Sequence, residues 1–143
     1  MMRSLSILLL LAIPALHAEK KTIMPPEFAA AKSPFSPAIL ADGTLYISGQ
    51  IGRDLKSAEI PADFEQEVKL CLDNIGIILK AAGMKFSDAV SVTVYLTDMD
   101  LFAKMNGVYT TYFPEPRPAR ATVGVAKLAA PKARIEISVT ARK

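Results

Sequence analysis

The chain has 143 residues, a formal charge of +3, 51% hydrophobic and 22% charged residues, a single cysteine and a single histidine. That length and apolar content fit one domain with its own core, and the small positive charge argues against a nucleic-acid partner. One cysteine, Cys71, excludes an internal disulfide whatever compartment the chain reaches.

The opening "MMRSLSILLLLAIPALHA" carries one cation at Arg3, an apolar run from Leu5 to Leu16, and the small residue Ala18 at its end. This is the layout of a secretory signal peptide, and the run is short for a membrane span. Residues 1–18 are therefore expected to be removed. The domain is then expected to be residues 19–143, and the protein is expected to be exported, periplasmic or secreted, with no membrane attachment after cleavage. His17, the only histidine, leaves with that segment. The processed chain then lacks imidazole, which excludes Ser-His-Asp and Cys-His machinery and every histidine-containing metal site.

After a Pro-rich lead-in, "SPAILADGTLYISGQIG" reads as two strands joined at Asp42-Gly43, since Asp-Gly between apolar runs marks a hairpin. "PADFEQEVKLCLDNIGIILKAAG" reads as a helix. Val68, Cys71, Leu72, Ile75, Ile78 and Leu79 form its apolar stripe, Asp63 caps its start and Gly83 follows its end. Cys71, inside that stripe, reads as a core residue. In "DAVSVTVYLTD" Val90, Val92, Val94 and Leu96 alternate as in a half-buried strand. A second helix is expected from Asp98 or Asp100 to Phe113, with Phe102, Met105, Tyr109 and Tyr112 as its core face. "PEPRP" ends it. Two strands follow, Ala119 to Lys127 and Arg134 to Thr140.

The order β-β-α-β-α-β-β implies an α+β domain, with two helices packed on one face of a mixed sheet. Alternation in the last two strands places Arg120, Thr122, Gly124 and Ala126, with Glu136, Ser138 and Thr140, on the face opposite the Val/Ile residues. That face is too small and neutral for ordinary solvent exposure and too polar for an intramolecular core. It predicts packing against another copy of the chain. Arg120 and Glu136, both on it, read either as an ion pair at that contact or as a carboxylate grip beside a held water.

"YISGQIG" (46–52), "KAAGMKFSDAVSVTVYLTDM" (80–99), "RPARATVGVAKL" (117–128) and "RIEISVTA" (134–141) together resemble the RidA/YjgF reactive-intermediate deaminases. The resemblance spans nearly the whole chain from about Lys21, in the same order of elements. It implies a chorismate-mutase-like α+β fold, a homotrimer with ligand clefts between subunits, and no metal or organic cofactor. The implied reaction is hydrolysis of 2-imino acids, such as 2-iminobutanoate and 2-iminopropanoate, to 2-keto acids and ammonia. By motif, Arg120 matches the arginine that binds the substrate carboxylate and Glu136 the glutamate that positions water. Ser48 and Gly49 match a small-residue wall, and Asn106 an asparagine facing the cleft. Phe35 stands where many members have tyrosine. Thr122 stands where many have cysteine, its backbone N–H remaining a donor. The other function class left open is a non-catalytic trimer that binds small carboxylates or acts as a protective holdase.

Overall fold

The alternating segments assemble into one sheet of six strands. The computed structural model describes residues 19–143; the expected leader, residues 1–18, lies outside the described residues. In chain order the elements are β1 (Lys20–Ile23), α1 (Pro26–Ala29), β2 (Ala38–Ala41), β3 (Thr44–Ile51), α2 (Phe64–Ala81), β4 (Ala89–Leu96), α3 (Phe102–Tyr112), β5 (Ala119–Gly124) and β6 (Ile135–Arg142). The strand order is β1-β2-β3-β6-β4-β5; only β4 and β5 pair in parallel. The domain is α+β, as expected, with one more strand and one more short helix than the sequence announces.

Local chemistry accounts for the joints. Asp42 and Gly43 take φ of 48° and 72°, the left-handed pair required by a two-residue hairpin turn. The Asp63 carboxylate accepts the backbone N–H of Gln66 at 2.9 Å, and Gly83 sits at φ 69° just past α2. All six residues of the α2 stripe are buried against β3 and β6, where Cys71 directs its Sγ to the Gln50 carbonyl at 3.0 Å. Burial pushes that thiol far above its ordinary pKa, so Cys71 is an inert core residue.

Several expectations need correction. β5 stops at Gly124 rather than Lys127, because Gly124 pairs with Leu96, the last residue of its partner β4. β6 starts one residue later than expected and runs on to Arg142, which pairs with Thr44. Val90 is exposed at a register shift between Ala89 and Ser91 instead of joining the core. On α3, Met105 and Tyr109 are buried, whereas Phe102 is exposed and Tyr112 half-buried, with its hydroxyl donating to Asp73 at 2.6 Å.

The largest correction concerns β5. Laterally paired residues share a face, and Arg120, Thr122 and Gly124 pair with Val92, Val94 and Leu96, which are buried under the helices. These three therefore lie on the helix side, not on the open face. Glu136, Ser138 and Thr140 do occupy the open face, beside Tyr95, Thr93 and Ser91 of β4 and the Ala119, Ala121 and Val123 side of β5. Among the described residues no helix is long and apolar enough to cross a membrane.

Candidate functional site

Glu136 stands on β6 between Tyr95 of β4 and Ile51 of β3. Beside it β3 breaks register between Ile47 and Gln50, which frees Ser48 and Gly49 from regular pairing. A Cβ placed on Gly49 would fall 2.0 Å from Glu136 Oε1. The bare glycine is what lets the carboxylate lie flat against the bulge. Ser48 ties the bulge to the preceding loop: its N–H donates to Pro37 O at 3.0 Å and its Oγ to Ser36 O at 2.7 Å. That loop carries Phe35 to the wall of a cavity of about 540 Å³, which Gly49, Gln50, Leu55 and Glu136 also line. Glu136, Gly49 and Phe35 thus share one site, and Ser48 supports it from its edge.

What anchors this end of β6 had no local signature. Glu67 of α2 is fully buried, and its two oxygens accept the backbone N–H and the Nε–H of Arg134, each at 2.7 Å. Arg134 also donates to the carbonyls of Pro61 and Ala62, both at 3.0 Å, and covers the Phe64 ring. The lock fixes the strand two residues before Glu136. A buried acid in a helix stripe and an arginine before an alternating run were its only signals, and nothing local connects them.

Arg120, Thr122 and Asn106 form a separate group at the edge of the sheet under α3. The Arg120 guanidinium lies 4.5 Å from the Tyr109 ring centre and 5.7 Å from that of Phe102, with one nitrogen 4.0 Å from Met105 Sδ. Asn106, four residues after Phe102 and three before Tyr109, shares their side of the helix and is half-buried. Thr122 follows along the same face of β5, next to Val94. Arg120 makes no ion pair among the described residues. Burial raises the Tyr109 phenol above its ordinary pKa, with the nearby Arg120 cation opposing the shift. Arg117, in contrast, is exposed and pairs with Glu115.

Within one chain the two groups do not meet. Arg120 and Glu136 are two strands apart, about 10 Å laterally, and on opposite faces of the sheet. An intrachain Arg120–Glu136 ion pair is thereby ruled out. Among the described residues no three His, Cys, Asp or Glu side chains cluster as ligands for a metal ion.

The mixed sheet, its one helical layer and the bulged strand against Glu136 define an α+β domain of the chorismate-mutase-like class. The chain belongs to the endoribonuclease L-PSP family, the RidA/YjgF family its motifs resemble, which it matches over residues 26–143. Two similar curated relatives, from Bos taurus and Mus musculus, are named 2-iminobutanoate/2-iminopropanoate deaminase. They are 45% and 44% identical over 124 residues, which is 85% of this chain and 89% and 90% of theirs. The YjgF gene product of E. coli superimposes with a TM-score of 0.80 at 36% identity, over 86% of this chain and 98% of that one. E. coli TdcF with bound serine gives 0.79 at 33% identity, over 86% and 99%.

Proposed function

We propose that the chain hydrolyses 2-imino acids to 2-keto acids and ammonia, in a homotrimer whose sites combine Arg120 of one protomer with Glu136 of the next. What supports the activity is the deaminase name of relatives 44–45% identical over 85% of the chain. What supports the shared site is the placement of a cation without an ion pair among the described residues and a cavity-lining carboxylate on opposite faces of one sheet. The small, neutral residues around Ser138, Thr140, Ala121 and Val123 form the surface across which copies would pack.

In this reading Arg120 holds the substrate carboxylate by two parallel N–H bonds, with Asn106 and the Thr122 backbone N–H as further donors. Fixing that end brings the imine carbon to the Glu136 carboxylate of the neighbour, so reaction starts from an oriented complex. Glu136 takes a proton as water adds to the carbon and passes it to the imine nitrogen, giving a carbinolamine. It then takes the hydroxyl proton of that carbinolamine and delivers it to nitrogen as the C=O bond forms, the C–N bond breaks and ammonia leaves. Ser48 and Gly49 supply the close wall. Phe35, where many relatives have tyrosine, makes that part of the cavity apolar.

An amino-acid oxidase coupled to the purified protein tests the activity. Faster loss of the imine is expected across a panel of amino acids; decay at the uncatalysed rate would refute it. A carboxylate binder is the second reading, favoured by the serine held in the TdcF relative. It predicts thermal stabilisation by serine or 2-oxobutanoate with no turnover.

Gly49→Ala is a sharper probe. Every atom it would strike belongs to the flexible Glu136 side chain, the carboxylate first, so Glu136 swings aside while the fold persists. A drop in turnover of about a hundredfold is expected with an unchanged melting curve. Wild-type turnover would remove Glu136 from the reaction. Export is proposed on the leader alone. N-terminal sequencing should find a mature start near residue 19, and Met1 on the protein from cells would oppose it.

A further inference from the structure

Arg120 raises a question that carboxylate binding does not answer. An arginine side chain has several freely rotating bonds, and one on an edge strand with no ion pair should wander. Here it does not lie open. Its guanidinium faces the Tyr109 ring at 4.5 Å and the Phe102 ring at 5.7 Å, and one N–H donates weakly to Met105 Sδ at 4.0 Å. The Tyr109 ring is itself braced: it stacks on Phe113 at 4.3 Å, and Phe113 meets Phe86 edge-on at 5.0 Å. The shelf is therefore rigid where it touches the core and solvent-exposed at Phe102.

The Tyr109 hydroxyl sharpens the point. It is buried with no hydrogen-bond partner among the described residues. Arg120 still opposes the rise in the phenol's pKa, by its charge and as a nearby donor, and the contact the geometry shows is the ring face, 4.5 Å from the guanidinium. An aromatic face offers a cation attraction that leaves the N–H edges of a planar guanidinium free for an anion, and here only one N–H is turned instead to the weak acceptor Met105 Sδ. A carboxylate partner in the same place would occupy those edges and compete with the ligand.

We propose that Tyr109 and Phe102 form a positioning shelf that holds the Arg120 guanidinium ordered and unpaired before a carboxylate arrives. The shelf acts through Arg120 and touches no reacting atom. Its consequence for substrate rests on the reading of Arg120 given above, but the ordering of the free side chain does not.

The two are separable. In the ligand-free protein, the ¹⁵N order parameter of the Arg120 Nε–H reads the shelf directly. It should be high in the wild type and in Tyr109→Phe, and fall in Tyr109→Leu and Phe102→Leu. The affinity for 2-oxobutanoate, measured by calorimetry, should drop about tenfold in both leucine variants, the size expected of a cation–π contact, and stay near wild type in Tyr109→Phe. KM in the coupled assay should rise in parallel, with kcat little changed. If Tyr109→Leu fails to fold, Phe102→Leu, at the exposed end, decides the matter. An unchanged order parameter in Phe102→Leu, or a Tyr109→Phe variant as impaired as Tyr109→Leu, overturns the shelf. An ordered Arg120 in a protein without imine turnover would instead remove the proposed activity and leave the shelf standing.

Discussion

Arg120→Ala is expected to lower kcat/KM for imine hydrolysis by about 100- to 10,000-fold while the oligomer stays intact and the melting temperature moves by only a few degrees. The size follows from two charge-assisted hydrogen bonds at roughly 1.5–3 kcal/mol each, with about 1.4 kcal/mol per factor of ten. The small effect on stability follows from what Arg120 touches: aromatic faces and a thioether, with no ion pair to break among the described residues. Near-wild-type activity would remove the carboxylate grip. The opposite-face geometry adds a test that single variants cannot supply. Glu136→Gln should also be inactive, since an amide cannot take the proton from water. If each site joins two protomers, trimers refolded from equal amounts of Arg120→Ala and Glu136→Gln chains contain sites with both native groups. About a quarter of wild-type activity should then return. A site built within one chain would give none, because neither parent carries both groups.

The parts of the fold that local pattern dictates could be read directly. The Asp42-Gly43 turn, the α2 stripe with its Asp63 cap, and the alternation of β6 each state their structure within a few residues. What escaped had no such pattern. Only Ile23 of "KKTI" is buried, so β1 reads as a charged tail although it pairs with β2 as an edge strand. The four-residue α1 is shorter than a helical period can reveal. For β5 the alternation was right and its orientation wrong. Period two divides residues into two faces without saying which is inside, and Ala121 and Val123 look like the interior pair. Only the parallel pairing of Arg120 with Val92 settles the matter, and that contact joins distant parts of the chain. The same limit hid the Glu67–Arg134 lock, whose members are 67 positions apart. Glu136 and Gly49 were both legible as motif residues, but their contact across the bulge was not.

That lock should be the most sensitive point of the fold outside the apolar core. The Glu67 side chain is 0% exposed, so its charge is tolerable only because both oxygens are engaged, each at 2.7 Å. Glu67→Ala removes the acceptor for the Arg134 backbone N–H, leaves a void in α2, and strips Arg134 of its counter-ion. Breaking a wholly buried pair costs about 3–5 kcal/mol. The lower end applies here, since the Arg134 side chain is 32% exposed and keeps the Pro61 and Ala62 carbonyls. A loss of about 3 kcal/mol is therefore expected in denaturant unfolding. Glu67→Gln should lose less: its carbonyl can still accept the backbone N–H, though its amide turns a donor toward Nε. The Arg134→Ala cost should overlap strongly with that of Glu67→Ala, so the double variant should be far more stable than the two separate losses predict. Additive losses would mean that the contacts, however short, do not act as a unit. Because Arg134 lies two residues before Glu136, Glu67→Ala should also reduce turnover at temperatures well below its own melting. Loosening the start of β6 lets the carboxylate drift from its seat against Gly49, and full activity in that variant would show that the seat is held from the β3 side alone.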